Sequence, residues 1–240
     1  MNNRVPQIIK RRIGAVDILD LRGLFVGPWA LRGREEIALF IKKHRTKNLL
    51  VNLRGLETLD SLGVKAITEN LIEGIRGGLV VGNLSVMEMF ARVKPRTDLK
   101  FFRTEEEIIH YFGPDLVKWE EKGIEEKRKY PRLNTALPLE FSYDDDKGEK
   151  VFFRAVVTDM SEGGLYAEYL DLEEASMGRM KLNPYDFKVL DLTIRMPEGG
   201  EIRAQGKVVR MVLEAEQVGM GIEFYEISDQ DRVRILNFFR

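Results

Sequence analysis

Lys127-Arg128-Lys129-Tyr130-Pro131-Arg132 marks the point at which the chain changes its period. Beyond it, apolar and polar residues alternate, the repeat of half-buried strands. The alternating runs are 136–143, 149–159, 165–169, 187–196, 201–213 and 217–226. Asp144-Asp145-Asp146-Lys147-Gly148 and Glu198-Gly199-Gly200 provide turn residues between them. Six short strands with such turns predict a small barrel. A helix pattern ends the chain: Ser228 stands at the cap, Asp229 and Asp231 in the first turn, and Val233, Leu236 and Phe239 on the expected inner face.

Upstream, the chain alternates strand and helix patterns, which predicts an α/β mixed sheet with helices packed on it. Val16–Leu21 reads as a strand ending at Gly23, and residues 27–44 as a helix. Residues 47–53 form a near-continuous apolar run, as in a strand covered on both faces. Val64, Ile67, Leu71 and Ile75 fall on one helical face, and Gly77-Gly78 is expected to end that helix. Strands at 79–82 and 99–102 flank a helix at 85–93, and Thr104-Glu105-Glu106-Glu107 opens a helix through Phe112. The expected organisation is an α/β domain over residues 1–112, a charged helical linker over 113–126 and a mainly-β domain over 127–240.

Composition narrows the function classes. The 240 residues contain no Cys and two His, so thiolate and His-rich metal centres are excluded. Lys+Arg total 38 against 39 Asp+Glu, which argues against broad binding to DNA, RNA or a membrane surface. Residues 127–240 hold 17 basic and 21 acidic side chains, so an anion site there must be a local cluster. No run approaches the roughly 18 apolar residues of a membrane helix. The N-terminus has no apolar stretch after its charges, so a cytoplasmic location is expected.

Two local patterns carry chemistry. Arg128 and Arg132 flank the rigid Pro131, and two guanidiniums on one short loop can fork onto phosphate oxygens or a guanine edge. Taken alone, such a cluster also reads as a solvated basic turn. Asp159-Met160-Ser161-Glu162-Gly163-Gly164 ends a strand. Its carboxylate can accept from the donor edge of a guanine, its hydroxyl and N–H groups can hold phosphate, and its glycines allow close approach. Taken alone, it too reads as a polar turn bonding its own backbone.

Together, Arg128-x-x-x-Arg132 and Asp159-x-Ser161-x-x-Gly164 resemble the paired motifs of the PilZ family. Gly219-Met220-Gly221-Ile222-Glu223-Phe224 followed by Ser228-Asp229-Gln230-Asp231 resembles that family's last strand and closing helix. The resemblance covers residues 127–240. It implies a six-stranded barrel that binds the bacterial messenger cyclic di-GMP, and hence a bacterial cell. Arg128 and Arg132 would hold phosphates and guanine, Asp159 would read guanine, and Ser161 and Gly164 would fit phosphate and backbone. Lys127 and Gly163 are further contact candidates, Lys127 adding a cation suited to a second stacked ligand molecule.

In the first half, Leu59-Asp60-Ser61-Leu62-Gly63-Val64 sits at a strand-to-helix turn, where Ser61 reads as the N-cap. The run 49–53, Asp60-Ser61-x-Gly63 and the helix after it resemble the STAS family, which includes anti-sigma factor antagonists. That resemblance implies a protein-interaction domain and makes Ser61 a candidate phosphorylation site, although Leu62 departs from the second serine often found there.

No catalytic constellation is present, so the chain reads as a non-enzyme without a cofactor or metal. Asp144-x-Asp146-x-Gly148 lacks the terminal Glu of a calcium loop, and neither Ser61 nor Ser161 has a His partner or a nucleophile elbow. The leading expectation is a cytoplasmic cyclic di-GMP receptor. Its ligand orders the arginine loop, shifts the two domains and relays to an unidentified protein partner. The alternative is a partner-switching regulator driven by Ser61 phosphorylation.

Overall fold

The computed structural model describes residues 6–71, 74–82, 84–93, 99–117, 130, 132–145, 147–170, 188–214 and 217–239. The first half contains β1 (Gln7–Ile13), β2 (Val16–Phe25), α1 (Gly27–His44), β3 (Asn48–Asn52), β4 (Leu56–Leu59), α2 (Ser61–Thr68), β5 (Arg76–Val80), α3 (Leu84–Val93), β6 (Lys100–Phe102) and α4 (Glu105–Phe112). Its sheet runs β1-β2-β3-β5-β6, with β4 beside β2. β1 is antiparallel to β2, and the remaining pairs are parallel.

Alternation along the strands serves two faces. Leu19, Leu21, Leu49, Val51 and Leu79 pack against Ile37 and Phe40 of α1, Val64 and Ile67 of α2, and Phe90 of α3. Val16, Ile18, Leu50 and Val80 point the other way, onto Ile108 and Phe112 of α4 and onto Leu116. Both faces are therefore buried, as the continuous apolar run of β3 predicted. Gly113–Leu116 is a 3-10 turn whose Leu116 joins this second layer. The rest of the expected linker, residues 118–126, lies outside the described residues.

The first half differs from the sequence expectation in several details. β1 and β4 were not anticipated: β1 carries Lys10, Arg11 and Arg12, and β4 has only four residues. The helix expected to run to Ile75 ends at Thr68. Gly77 and Gly78 lie within β5 rather than capping that helix. Gly78 is required by packing, since a Cβ there would overlap the ring of Phe102.

The second half forms β7 (Leu133–Asp144), β8 (Lys150–Ser161), β9 (Gly164–Glu168), β10 (Val189–Arg195), β11 (Glu201–Glu214) and β12 (Gln217–Ile227). They close into a barrel in the order β10-β11-β12-β9-β8-β7, every neighbouring pair antiparallel. Leu139, Phe141, Ala155, Val157, Leu192, Met220 and Ile222 fill its interior. α5 (Asp229–Phe238) follows, with the Ser228 hydroxyl accepting from the Asp231 N–H at 3.0 Å. Ile235 is its buried residue, and Val233 and Leu236, expected inside, are exposed. The loop after β7 is a turn held by one carboxylate. Asp145 accepts from the N–H groups of Glu149 and Lys147, and these bonds hold its pKa below the ordinary value.

The halves share a core. Val156 of β8 and Leu170 after β9 complete the second layer of the first sheet. Beside them lies a buried polar group. Arg11 of β1 donates to Asp20 of β2 at 2.6 and 2.9 Å, to the Leu170 carbonyl at 3.2 Å and to the Tyr169 carbonyl. Asn52 donates to Asp20 at 2.9 Å. Arg11, Asp20 and Asn52 are each no more than 3% exposed. Tyr169 is itself buried, which pushes its phenol pKa up.

Removing one partner of a buried pair leaves the other charge without compensation. Asp20→Ala is expected to cost about 3–5 kcal/mol in urea unfolding of the full chain. A loss under about 1 kcal/mol would mean that the two carbonyls alone suffice for Arg11.

Candidate functional site

Two irregular strands shape one wall of the barrel. Val157 and Met160 of β8 both belong to the barrel core although they are three residues apart. Strict alternation forbids this, and the register against β9 does slip between Val157 and Asp159. The extra residue turns Asp159 outward. In β11 the same device recurs: Val208 and Met211 pack on the core, Val209 and Arg210 between them are exposed, and the register against β12 slips at this point. A bulge of this kind re-aims side chains without breaking the barrel.

Between these strands lies a cleft of about 420 Å³. Arg132, Asp159, Ser161, Gly163 and Gly164, all expected from the sequence, line it together. Arg132 Nη1 donates to Asp159 Oδ2 at 3.0 Å, with Asp159 the more buried partner. Ser161 Oγ donates to the Gly164 carbonyl at 3.2 Å and so closes the β8–β9 turn. A Cβ on Gly164 would overlap the Ile222 carbonyl oxygen, so this glycine serves close strand approach within the barrel itself. A Cβ on Gly163 would stand 2.9 Å from Tyr130 Cδ2, because the Tyr130 ring lies against that turn. Lys127 and Arg128 lie outside the described residues.

Sequence reasoning did not assign Tyr130, Tyr166, Arg210 or Gly221 to the site, and all four line the cleft. Arg210 had a signal. With Ile202, Ala204 and Val208 inside the barrel, strict alternation would send Arg210 inside as well. A lone charge at an inward position is a local conflict that a bulge resolves.

At the turn before α2, the structure corrects the expected cap. Asp60 is the N-cap: its carboxylate accepts from the Gly63 N–H at 2.7 Å and from the Gly27 N–H at 2.9 Å. Ser61 is the first residue of the helix and is exposed, as is Leu62. Aspartate outcompetes the neighbouring serine here because one carboxylate serves the starts of two helices. Gly63 is fixed by space, since a Cβ would overlap the Phe25 carbonyl oxygen.

Residues 126–240 match the family model of the PilZ domain. This half of the chain is a PilZ domain. Among solved structures, the Bacillus subtilis inhibitor of motility MotI/DgrA is 20% identical over 50% of this chain and 54% of its own, with a TM-score of 0.38. The present chain thus spans about half the length of that protein. The PilZ domain of YcgR from Escherichia coli, solved with c-di-GMP, is 15% identical over 47% of this chain and 88% of its own, with a TM-score of 0.34. The anti-sigma factor antagonist SpoIIAA of Bacillus is similar to the N-terminal part. Its unphosphorylated form is 19% identical over 44% of this chain and 96% of its own, with a TM-score of 0.36. No match was found among curated protein sequences. Among the described residues, no helix is long and apolar enough to cross a membrane, and no group of three acidic or His side chains could hold a metal ion.

The reassigned cap has a measurable consequence. Asp60→Ala is expected to lower stability by about 0.5–2 kcal/mol, whereas Ser61→Ala should stay within about 0.5 kcal/mol of the parent. Denaturant unfolding of both variants tests this, and the reverse ranking would restore Ser61 as the cap.

Proposed function

We propose that the chain is a bacterial, cytoplasmic cyclic di-GMP receptor. The PilZ domain, taken as residues 127–240, binds the dinucleotide. A connector over 113–126 joins it to a STAS-like domain over 1–112 that meets a protein partner. The observation that carries this reading is the convergence of Arg132, Asp159, Ser161, Gly163 and Gly164 on one cleft of a PilZ domain. In the cleft, Arg132 and Asp159 pair with each other. A guanine offers N1–H and N2–H₂ donors that take over the Asp159 carboxylate. Arg132 is then free to fork onto a phosphate, joined by Arg128. The Arg132 side of this ion pair is open to water, which lowers the cost of exchanging it.

A second reading, partner switching through Ser61, is favoured by one observation. Asp60 does the capping, so the exposed Ser61 hydroxyl is not needed for the helix. Mass spectrometry of the protein from its native cells tests it: phosphate on Ser61 supports switching, and an unmodified Ser61 across growth conditions opposes it.

Calorimetry of the full chain with cyclic di-GMP tests the receptor reading, and binding at micromolar affinity or tighter is expected. Arg128→Ala and Arg132→Ala each remove a charge-assisted bond worth about 1.5–3 kcal/mol, and each should weaken binding about 10- to 100-fold. Asp159→Ala should relax discrimination against cyclic di-AMP. Parent-like affinity and selectivity in all three variants would refute the residue assignment.

A further inference from the structure

Asp159, Tyr166, Gly221 and Arg210 are successive cross-strand partners on β8, β9, β12 and β11. They form a row across the wall of the cleft. At about 5 Å per strand, Arg210 stands about 15 Å along the sheet from Asp159. Gly221 raises no side chain between Tyr166 and Arg210, and a Cβ there would already meet Arg210 Cβ at 3.5 Å. Arg210 is exposed and has no hydrogen-bond or ion-pair partner among the described residues. The two ends of the cleft also differ in charge. Asp159 stands at one end of this row and Arg210 at the other. Carboxylates suit the donor edge of a base and repel phosphate. The Arg210 end offers the reverse.

We infer that Arg210 is a third cationic contact for the ligand, holding a phosphate at the end of the cleft opposite Asp159. The inference rests on the cyclic di-GMP reading and adds a residue from outside both sequence motifs. A dinucleotide whose guanine edge is held at Asp159 extends over Tyr166 and the low floor at Gly221. Its phosphodiester ring then meets the guanidinium, which forks onto phosphate oxygens. The bulge at Val209 exists in this geometry to point that guanidinium outward.

The test is calorimetry of the full chain with cyclic di-GMP at two salt concentrations. Arg210→Ala should weaken binding at least about tenfold, Arg210→Glu should weaken it further, and both should flatten the salt dependence. Arg203→Ala, on the same strand but outside the cleft, should bind like the parent. If Arg210→Ala shifts the unfolding midpoint, Arg210→Gln carries the comparison instead. A charge-free variant that binds within twofold of the parent, with the same salt dependence, overturns this inference alone. A parent chain that does not bind cyclic di-GMP overturns the receptor reading, and this one with it.

Discussion

A parallel sheet with apolar side chains on both faces has to be covered twice, and in this chain the first half covers only one face fully. The helices α1, α2 and α3 close over Leu19, Leu21, Leu49 and Val51. On the other side, α4 has eight residues and reaches only part of the surface. The remainder is covered by Val156 and Leu170 of the barrel, and the polar gap left by Asp20 and Asn52 is filled by Arg11. Arg11 in turn needs more acceptors than Asp20 alone provides, and it finds them in the carbonyls of Tyr169 and Leu170. The position of the barrel follows from these demands.

This arrangement bears on how a bound ligand is felt elsewhere. A hinge between the halves would expose Val16, Ile18 and Leu50 and strip Arg11 of two of its acceptors. The expectation that ligand shifts the two halves therefore meets a large opposing cost. β9 offers a route that leaves the shared core intact. It begins at Gly164 in the cleft, and the chain reaches Tyr169 and Leu170 one strand length later.

Much of this was legible from residue patterns. The α1 boundaries, the six barrel strands and the turn at Glu198-Gly199-Gly200 follow from periodicity and turn chemistry, and Gly199 and Gly200 do adopt positive φ. The missed elements have physical reasons. β1 carries Lys10, Arg11 and Arg12, and nothing local distinguishes a buried, paired arginine from a solvated one. β4 has four residues, too few to establish a period. The spacing of Leu71 and Ile75 imitates a helix that tertiary packing replaces with a loop and β5. At the site, the motif residues were readable because their chemistry is unusual in sequence. Tyr166 and Gly221 belong to the cleft only through barrel register, which no local pattern encodes.

The Arg11 fork has an evolutionary corollary. Sequence order suggests two interchangeable parts, an α/β unit and a barrel, that recombination could pair with other neighbours. The shared layer makes such exchange costly. A transplanted barrel would present Val156 and Leu170 to water, and it would need a new host offering a matching apolar face with an arginine in the same register. Descendants of this chain should therefore inherit both halves together, and drift at Arg11, Asp20 or the segment around Leu170 should occur in concert.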